Sequence, residues 1–154
     1  GADWTAGVLI GRRRCPRFYV ADVQRAQAGP AAVRAMIRNT AAQDKAAWGR
    51  VTIDLPQDPG QAGKAQAQDL VAKLAGFKVQ ASPETGDKIT RAEPFAAQAE
   101  AGNVALVEGP WNAAYLDEIE TFPFGKHDDQ VDATSRAFNA LASASVYNLQ
   151  ALAS

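Results

Sequence analysis

The sequence predicts one α/β domain with a mixed sheet and flanking helices. Apolar, β-branched segments alternate with longer segments whose apolar residues recur at helical spacing. Residues 51–80 have the pattern strand, turn, helix, strand, which is the crossover expected of a parallel pair. With 154 residues, 47% of them hydrophobic, the chain is long enough for one core. We place the domain at residues 1–145 and expect residues 146–154, which lack a strong pattern, to form a C-terminal tail.

Composition leaves most function classes open. The chain has 16 basic and 17 acidic residues and a net charge of -1. This balance neither favours nor excludes nucleic acid, because a local basic groove can exist within a neutral total. Cys15 is the only cysteine, which excludes a disulfide framework and favours a reducing compartment. No signal peptide or membrane span is evident, so we expect a soluble intracellular protein.

The first third of the chain has the pattern of a β-hairpin followed by a helix. Apolar and β-branched residues predict strands over residues 4–11 and 18–23, on either side of a turn rich in arginine. We expect this turn to be a solvated hairpin tip, and contact with a phosphate backbone is the alternative. Gly29 and Pro30 then begin a helix to about residue 44, because proline is favoured at the first helical position.

The middle of the chain carries the predicted crossover unit. A strand over residues 51–55 is expected to end at Pro56, since proline cannot donate to a ladder of hydrogen bonds. A helix follows through Leu74, and the next strand covers residues 76–80. The two strands should therefore be parallel neighbours.

The turn before this helix contains Gly63 and Lys64, as a phosphate-binding loop would. Here, however, Asp58 stands at the position of the first glycine of that loop, and Ala65 at the position of its hydroxyl residue. An aspartate would repel phosphate groups, and no hydroxyl remains to hold magnesium. The sequence therefore excludes a nucleotide-binding loop of this type.

The C-terminal half alternates helices with one short strand. Trp111 and Tyr115 are four residues apart in a predicted helix, and we expect them to pack in the core. The predicted helices begin after residues 86–91, at residues 110–112 and near residue 128, and the strand covers residues 103–107.

Three aspartates, Asp128, Asp129 and Asp132, lie close together at the start of the last predicted helix. At about 100° per residue, Asp128 and Asp132 share a face and Asp129 points elsewhere. Like charges at this spacing repel by roughly a few tenths of a kcal/mol, so a positive group should compensate them. An N-terminal cap at Asp128 and a bound divalent cation both remain open. Beside that face runs a stripe expected to face the core: Val131, Ser135, Phe138 and Ala142.

Asp58 lies just beyond the strand over residues 51–55, and Asp54 lies within that strand. Sites in open α/β sheets form at the carboxyl ends of strands, so these acids are candidates to meet the acidic helix start. Converging carboxylates can hold two divalent ions about 4 Å apart for phosphodiester hydrolysis. Oxygen ligands favour Mg²⁺ or Mn²⁺ over zinc. The alternative for Asp58 is a turn residue before Pro59.

Four segments resemble the C-terminal nuclease domain of the large terminase subunit of tailed bacteriophages and prophages. They occur in the order and spacing of that family and extend over nearly the whole chain. Any one of them would be a weak signal, but the four together are specific. The matching segments are residues 2–7, 56–64, 86–95 and 125–133.

The resemblance implies a ribonuclease-H-like fold and an endodeoxyribonuclease that cuts concatemeric viral DNA with two Mg²⁺ or Mn²⁺ ions. By position, Asp128 matches the late acidic metal ligand, and Asp129 and Asp132 match its acidic neighbours. Asp3 matches an auxiliary acid near the site. We therefore expect these four aspartates, together with Asp58, to bind metal, with catalysis assigned to Asp128, Asp58 and Asp129.

Two departures from the family concern the remaining ligands. Many relatives carry glutamate at the position of Pro56, so Asp58 is the best substitute as second ligand and Asp54 the fallback. The first catalytic aspartate of the family lies on a strand upstream of residues 2–7, and this sequence starts at Gly1. We expect the family's first strand to be missing and this fragment to be inactive or weakly active by itself.

Four residues in the matched segments are candidates for DNA contact. Lys88 and Arg91 lie at a predicted helix start, where they are expected to grip the phosphate backbone, although a solvated first turn is the alternative. Lys126 and His127 directly precede the acidic turn. His127 is a candidate proton carrier or phosphate contact, and a local hydrogen-bond partner is its alternative role.

By resemblance, the partners are double-stranded DNA, the ATPase domain of the same protein, the small terminase subunit and the portal. The expected location is the cytoplasm of the bacterial host, with no membrane association. Two alternatives remain: a non-catalytic domain that docks on DNA or the portal, and another ribonuclease-H-like nuclease such as a resolvase.

Overall fold

The computed structural model describes residues 4–14 and 17–153, with residues 144–153 defined as helix backbone alone. These residues form two compact units. The first consists of residues 27–85, and the second combines residues 4–26 with residues 86–153. Cys15, Pro16 and Asp3 lie outside the described residues.

The first unit contains the predicted crossover. In chain order it consists of helix α1 (Pro30–Trp48), strand β3 (Thr52–Gln57), helix α2 (Gly60–Lys73) and strand β4 (Lys78–Pro83). The two strands are parallel, with Asp54 opposite Gln80. This confirms the parallel pair that the sequence predicted.

The prediction that β3 ends at Pro56 is wrong. The strand continues to Gln57, and Pro56 stands opposite Ser82 of β4. In the described residues β3 pairs with β4 alone, so one edge of the strand is left without a ladder. A proline whose missing N–H would point to that edge costs no hydrogen bond.

Gly63, near the start of α2, marks a close approach of the chain to itself. A Cβ at this position would overlap the main-chain oxygen of Asp58. Only glycine fits so tight a turn between β3 and α2. The glycine therefore has a packing role, in agreement with the exclusion of a nucleotide loop.

The second unit is built on a mixed sheet. Its strands are β1 (Trp4–Arg12), β2 (Phe18–Gln27) and β5 (Val104–Leu106), in the order β1-β2-β5. Only five residues separate β1 from β2 in the sequence, so these neighbouring strands are antiparallel, because parallel neighbours need a long crossover. β2 and β5 are parallel, with Phe18 opposite Val104. The predicted mixed sheet and the predicted hairpin are both confirmed.

Three helices complete the second unit: α3 (Lys88–Glu100), α4 (Asn112–Thr121) and α5 (Asp129–Ala153). The predicted stripe on α5 is confirmed, because Val131, Ser135 and Phe138 are buried and Ala142 packs against the core. The α5 backbone continues through the segment that the sequence left without a pattern. None of the helices in the described residues is both long and apolar enough to cross a bilayer.

An aromatic cluster forms the centre of this core. The ring of Phe138 lies 4.8 Å from that of Phe18 and 5.7 Å from that of Phe95, both in edge-to-face geometry. These three rings come from α5, β2 and α3, so the cluster joins the sheet to two helices. Val20, Val23 and Tyr115 complete the buried group.

Tyr115 connects α4 to α5 in this core. Its side chain is 1% exposed, and its ring packs edge-to-face against Trp111, as predicted. The hydroxyl lies 2.8 Å from Thr134 Oγ1, which itself donates to the carbonyl of Gln130. Because the threonine proton is used there, the tyrosine hydroxyl must donate to Thr134. Burial raises the pKa of Tyr115 to about 12.

This raised pKa predicts a loss of stability at high pH. The stability that the neutral, buried Tyr115 hydroxyl contributes is fully present below pH 10. It is lost between pH 10 and about 12, because in that range the tyrosine ionises only in the unfolded state. Two pKa units at about 1.4 kcal/mol each give a decline of about 3 kcal/mol, and Tyr115→Phe should remove most of it near pH 12. Urea unfolding of both proteins below pH 10 and near pH 12 measures it. Tyr19→Phe is the control, and a wild-type decline in Tyr115→Phe would contradict the assignment.

Candidate functional site

The acidic cluster lies where α5 begins. Asp128 occupies the N-cap position, because its carbonyl accepts a hydrogen bond of 2.9 Å from the N–H of Asp132. Asp129 and Asp132 lie in the first turn. The positive end of the helix dipole favours carboxylates at these positions.

Asp128 and Asp132 converge on one cation, the ammonium group of Lys88. Lys88 Nζ lies 2.6 Å from Asp128 Oδ2 and 3.2 Å from Asp132 Oδ2. This confirms that the two aspartates share a face, and it identifies a compensating positive group. Arg91 adds a second charge, with Nη2 3.8 Å from Asp132 Oδ1. Lys88 and Arg91, predicted to contact DNA, therefore pair with the acids here.

The start of α3 positions both of these basic side chains. Asp87 caps the helix by accepting hydrogen bonds from Thr90 N–H at 2.8 Å and Thr90 Oγ1 at 3.1 Å. These bonds, the one from the backbone first, hold the pKa of the Asp87 carboxyl below its usual value. Arg91 Nη1 donates to the carbonyl of Gly86 at 2.6 Å, which closes the same turn.

The protonation of Lys88 follows from its partners. Its hydrogen bond to Asp128 raises its pKa above the usual value, burial opposes this rise, and Asp132 reinforces it. Lys88 is thus an ammonium ion throughout the physiological pH range. Its side chain remains 48% exposed, so solvent has access to the ion pair.

A buried glutamate in α4, Glu118, holds the start of α5 from the other side. Its carboxylate accepts hydrogen bonds from Gln130 Nε2 at 3.0 Å and from the N–H of Val131 at 2.8 Å. The N–H of Val131 lies in the first turn of α5, where N–H groups have no acceptor within the helix. Glu118 therefore acts as a cap from another helix. Arg25 Nη2 lies 3.9 Å from the same carboxylate.

Sequence reasoning missed Glu118. It follows Tyr115 by three residues and is 5% exposed, so both side chains lie on the buried face of α4. An acidic residue on an apolar helix face was the available signal, because a buried carboxylate requires partners.

The loop before α5 is held by aromatic contacts. The ring of His127 packs edge-to-face on Trp4 of β1, with centroids 6.4 Å apart. The guanidinium of Arg25 lies 4.2 Å from the centre of the same tryptophan ring. Lys126 is exposed on this loop. Trp4 thus supports both the loop and the arginine that neighbours Glu118.

An open depression of about 460 Å³ adjoins the ion pair. It gives the cluster direct access to solvent on the side where α3 begins. Its lining comes from the α3 start and the loop before α5: Asp87, Lys88, Ile89, Thr90, Phe122, Pro123 and Asp128.

The other predicted acids lie elsewhere. Asp58 is exposed in the turn after β3, and Asp54 lies in β3 itself, so both belong to the first unit. Asp129 is half-buried in the first turn of α5, next to the pair that contacts Lys88. Asp3, the last predicted ligand, lies outside the described residues.

The acidic pair fits a hard divalent ion in its donor chemistry. Within the described residues, no cluster of three or more acidic, histidine or cysteine side chains could hold a metal ion. Asp128 and Asp132 nevertheless direct two carboxylates at a single cationic centre, and carboxylate oxygen is the ligand that Mg²⁺ and Mn²⁺ prefer. The pair can therefore supply two ligands, and the others must come from further acids, water or substrate.

Comparison with known proteins identifies one family. The family model described as the terminase RNaseH-like domain matches residues 1–141. The match spans all four segments singled out in the sequence, including the acidic start of α5. No curated protein and no solved structure is significantly similar to this chain.

Proposed function

The chain belongs to the terminase RNaseH-like domain family, and we propose from this premise that it is a metal-dependent endonuclease domain. Its substrate is concatemeric double-stranded DNA, which it cuts during viral genome packaging. The observation that supports this proposal is the convergence of Asp128 and Asp132 on one cation at the start of α5. Its partners are the ATPase domain, the small terminase subunit and the portal.

Asp128 and Asp132 are the residues that would hold the metal, with Asp129 beside them; Asp58 and Asp3 are the further ligands we propose from the sequence. Bound divalent ions, two in this proposal, would lower the pKa of a water molecule and stabilise charge on the phosphodiester. Oxygen ligands make Mg²⁺ or Mn²⁺ the fitting choice.

The other residues of the site hold the acids and bind the DNA. Glu118 fixes the first turn of α5, which sets the positions of the acidic pair. Four residues carry groups that can bind phosphate oxygens: Lys88 and Arg91, which pair with the acids, and Lys126 and His127, which directly precede Asp128 in the sequence. The depression beside Lys88 leaves room for a phosphodiester to approach.

Replacing one carboxylate tests the metal site. We expect the chain to bind Mn²⁺ at millimolar or lower concentration, and Asp128→Asn to weaken binding by at least about tenfold, since an amide removes the charge and one anionic ligand. Isothermal titration calorimetry measures the affinity. Asp117→Asn, an exposed acid-to-amide change on α4, is the matched control and should bind as the wild type does.

The alternatives predict other outcomes. If neither wild type nor a variant without the Lys88 ammonium group binds Mn²⁺ at millimolar concentration, the nuclease proposal is contradicted in favour of a domain that docks on DNA or the portal. A resolvase-like nuclease would bind metal in the same way. It would cleave branched DNA in preference to linear duplex, which a cleavage assay on the full-length protein would reveal.

A further inference from the structure

We propose that Lys88 is an internal counter-ion that competes with the divalent metal for Asp128 and Asp132, so that the metal binds only when the ammonium group moves away. This inference rests on the proposed function, because it concerns the same acidic pair. It adds a specific role for Lys88: this side chain sets the metal affinity of the site.

The geometry places the ammonium where a metal would lie. Lys88 Nζ is within 3.2 Å of one oxygen from each aspartate. A divalent ion bound by the same oxygens would lie about 2.0–2.6 Å from each, in nearly the same position. Two cations this close repel strongly, so the ammonium and the metal exclude each other.

Lys88 is free to leave because only its side chain has to move. It is the first residue of α3, and the Asp87 cap holds its backbone in place. Its side chain is 48% exposed and lines the open depression, which can accept the displaced ammonium group. The four-carbon stem of lysine is flexible enough for this movement.

Arg91 is held differently and should stay when Lys88 leaves. Its side chain is 19% exposed, and Nη1 donates to the carbonyl of Gly86 at 2.6 Å. Its own carbonyl accepts a hydrogen bond of 3.0 Å from Asn139 of α5. With Nη2 as far as 3.8 Å from Asp132, Arg91 does not occupy the space between the two carboxylates.

Two possible roles of Lys88, blocking the metal or holding the carboxylates in place for it, predict opposite effects of removing the ammonium group. If the ammonium blocks the metal, a neutral side chain at position 88 should strengthen binding. If the ammonium instead holds the carboxylates in the right place for metal, its removal should weaken binding. The sign of the change in affinity therefore decides between the two roles.

The experiment is a Mn²⁺ titration by calorimetry of wild type, Lys88→Met and Lys88→Gln. Lys78→Met is the matched control, because it removes an equal charge from an exposed lysine that belongs to no proposed binding site. We expect both variants at position 88 to bind Mn²⁺ about tenfold or more tightly, and Lys78→Met to remain within about twofold of wild type. Thermal unfolding should show a larger stabilisation by Mn²⁺ in the two Lys88 variants than in wild type.

Three other outcomes would overturn the inference, and a fourth would support it. Unchanged or weaker binding in both Lys88 variants, with binding by wild type, would reject displacement and leave the proposed metal site intact. Equal tightening in Lys78→Met would attribute the effect to the overall field of the charges. An absence of binding in all four proteins would reject the inference and the proposed metal site together. Binding by the Lys88 variants alone would support displacement.

Discussion

Glu118→Ala should lower the free energy of unfolding by about 3–5 kcal/mol, because it leaves two buried hydrogen-bond donors without their acceptor at a cost of about 1–3 kcal/mol each. The substitution removes the acceptor of Gln130 Nε2 and of the N–H of Val131, and both residues are buried. It also leaves Arg25 without the carboxylate 3.9 Å from its guanidinium. Buried donors without acceptors account for most of the loss.

Urea unfolding followed by circular dichroism measures this effect. Glu120→Ala is the matched control, because Glu120 is an exposed glutamate on the same helix and should change stability by no more than about 0.5 kcal/mol. Natural domains are stable by about 5–15 kcal/mol, so the Glu118 variant could lose much of its folded population. Equal stability of the two variants would show that the Glu118 hydrogen bonds contribute nothing net.

Phe138→Ala is expected to have an effect of similar size, about 3–5 kcal/mol, for an apolar reason. Its ring is 3% exposed and contacts the rings of Phe18 and Phe95. Alanine would leave a cavity between the sheet and α3, and the surrounding rings could fill it only in part. The same unfolding experiment measures the loss.

Phe124 provides the control for this substitution. Its side chain is 95% exposed on the loop before α5, so Phe124→Ala removes the same atoms without opening a cavity. We expect it to change stability by no more than about 0.5 kcal/mol. A loss below about 1 kcal/mol in Phe138→Ala would contradict the central place of this ring in the core.

The features that the sequence predicted correctly are those that depend on residues close together in the chain. The hairpin, the parallel pair and the buried stripe on α5 all follow from residue types at fixed spacing, and the structure has each of them. The end of β3 was predicted wrongly at Pro56, because the cost of a proline depends on whether its side of the strand is hydrogen-bonded to a neighbouring strand. No local pattern reports which edge of a strand is paired.

The site was predictable only in part, for a related reason. The shared face of Asp128 and Asp132 follows from helix geometry, and the structure confirms it. The cation between them does not follow from local pattern, because Lys88 is 40 residues away from Asp128 in sequence. Glu118 was missed because its role exists only once α4 packs against α5. The assignment of Asp58 and Asp3 as ligands remains a prediction from resemblance.

The sequence separation of these contacts has a consequence for the order of folding. Phe18 and Phe138 belong to opposite parts of the sequence, and the hydrogen bond between Asn139 and Arg91 spans 48 residues. Such contacts form late, because the entropy of closing a long loop is lost before they contribute. During synthesis, β1, β2 and α3 leave the ribosome before α5. The docking of α5 therefore both completes the aromatic core and brings the acidic pair to Lys88.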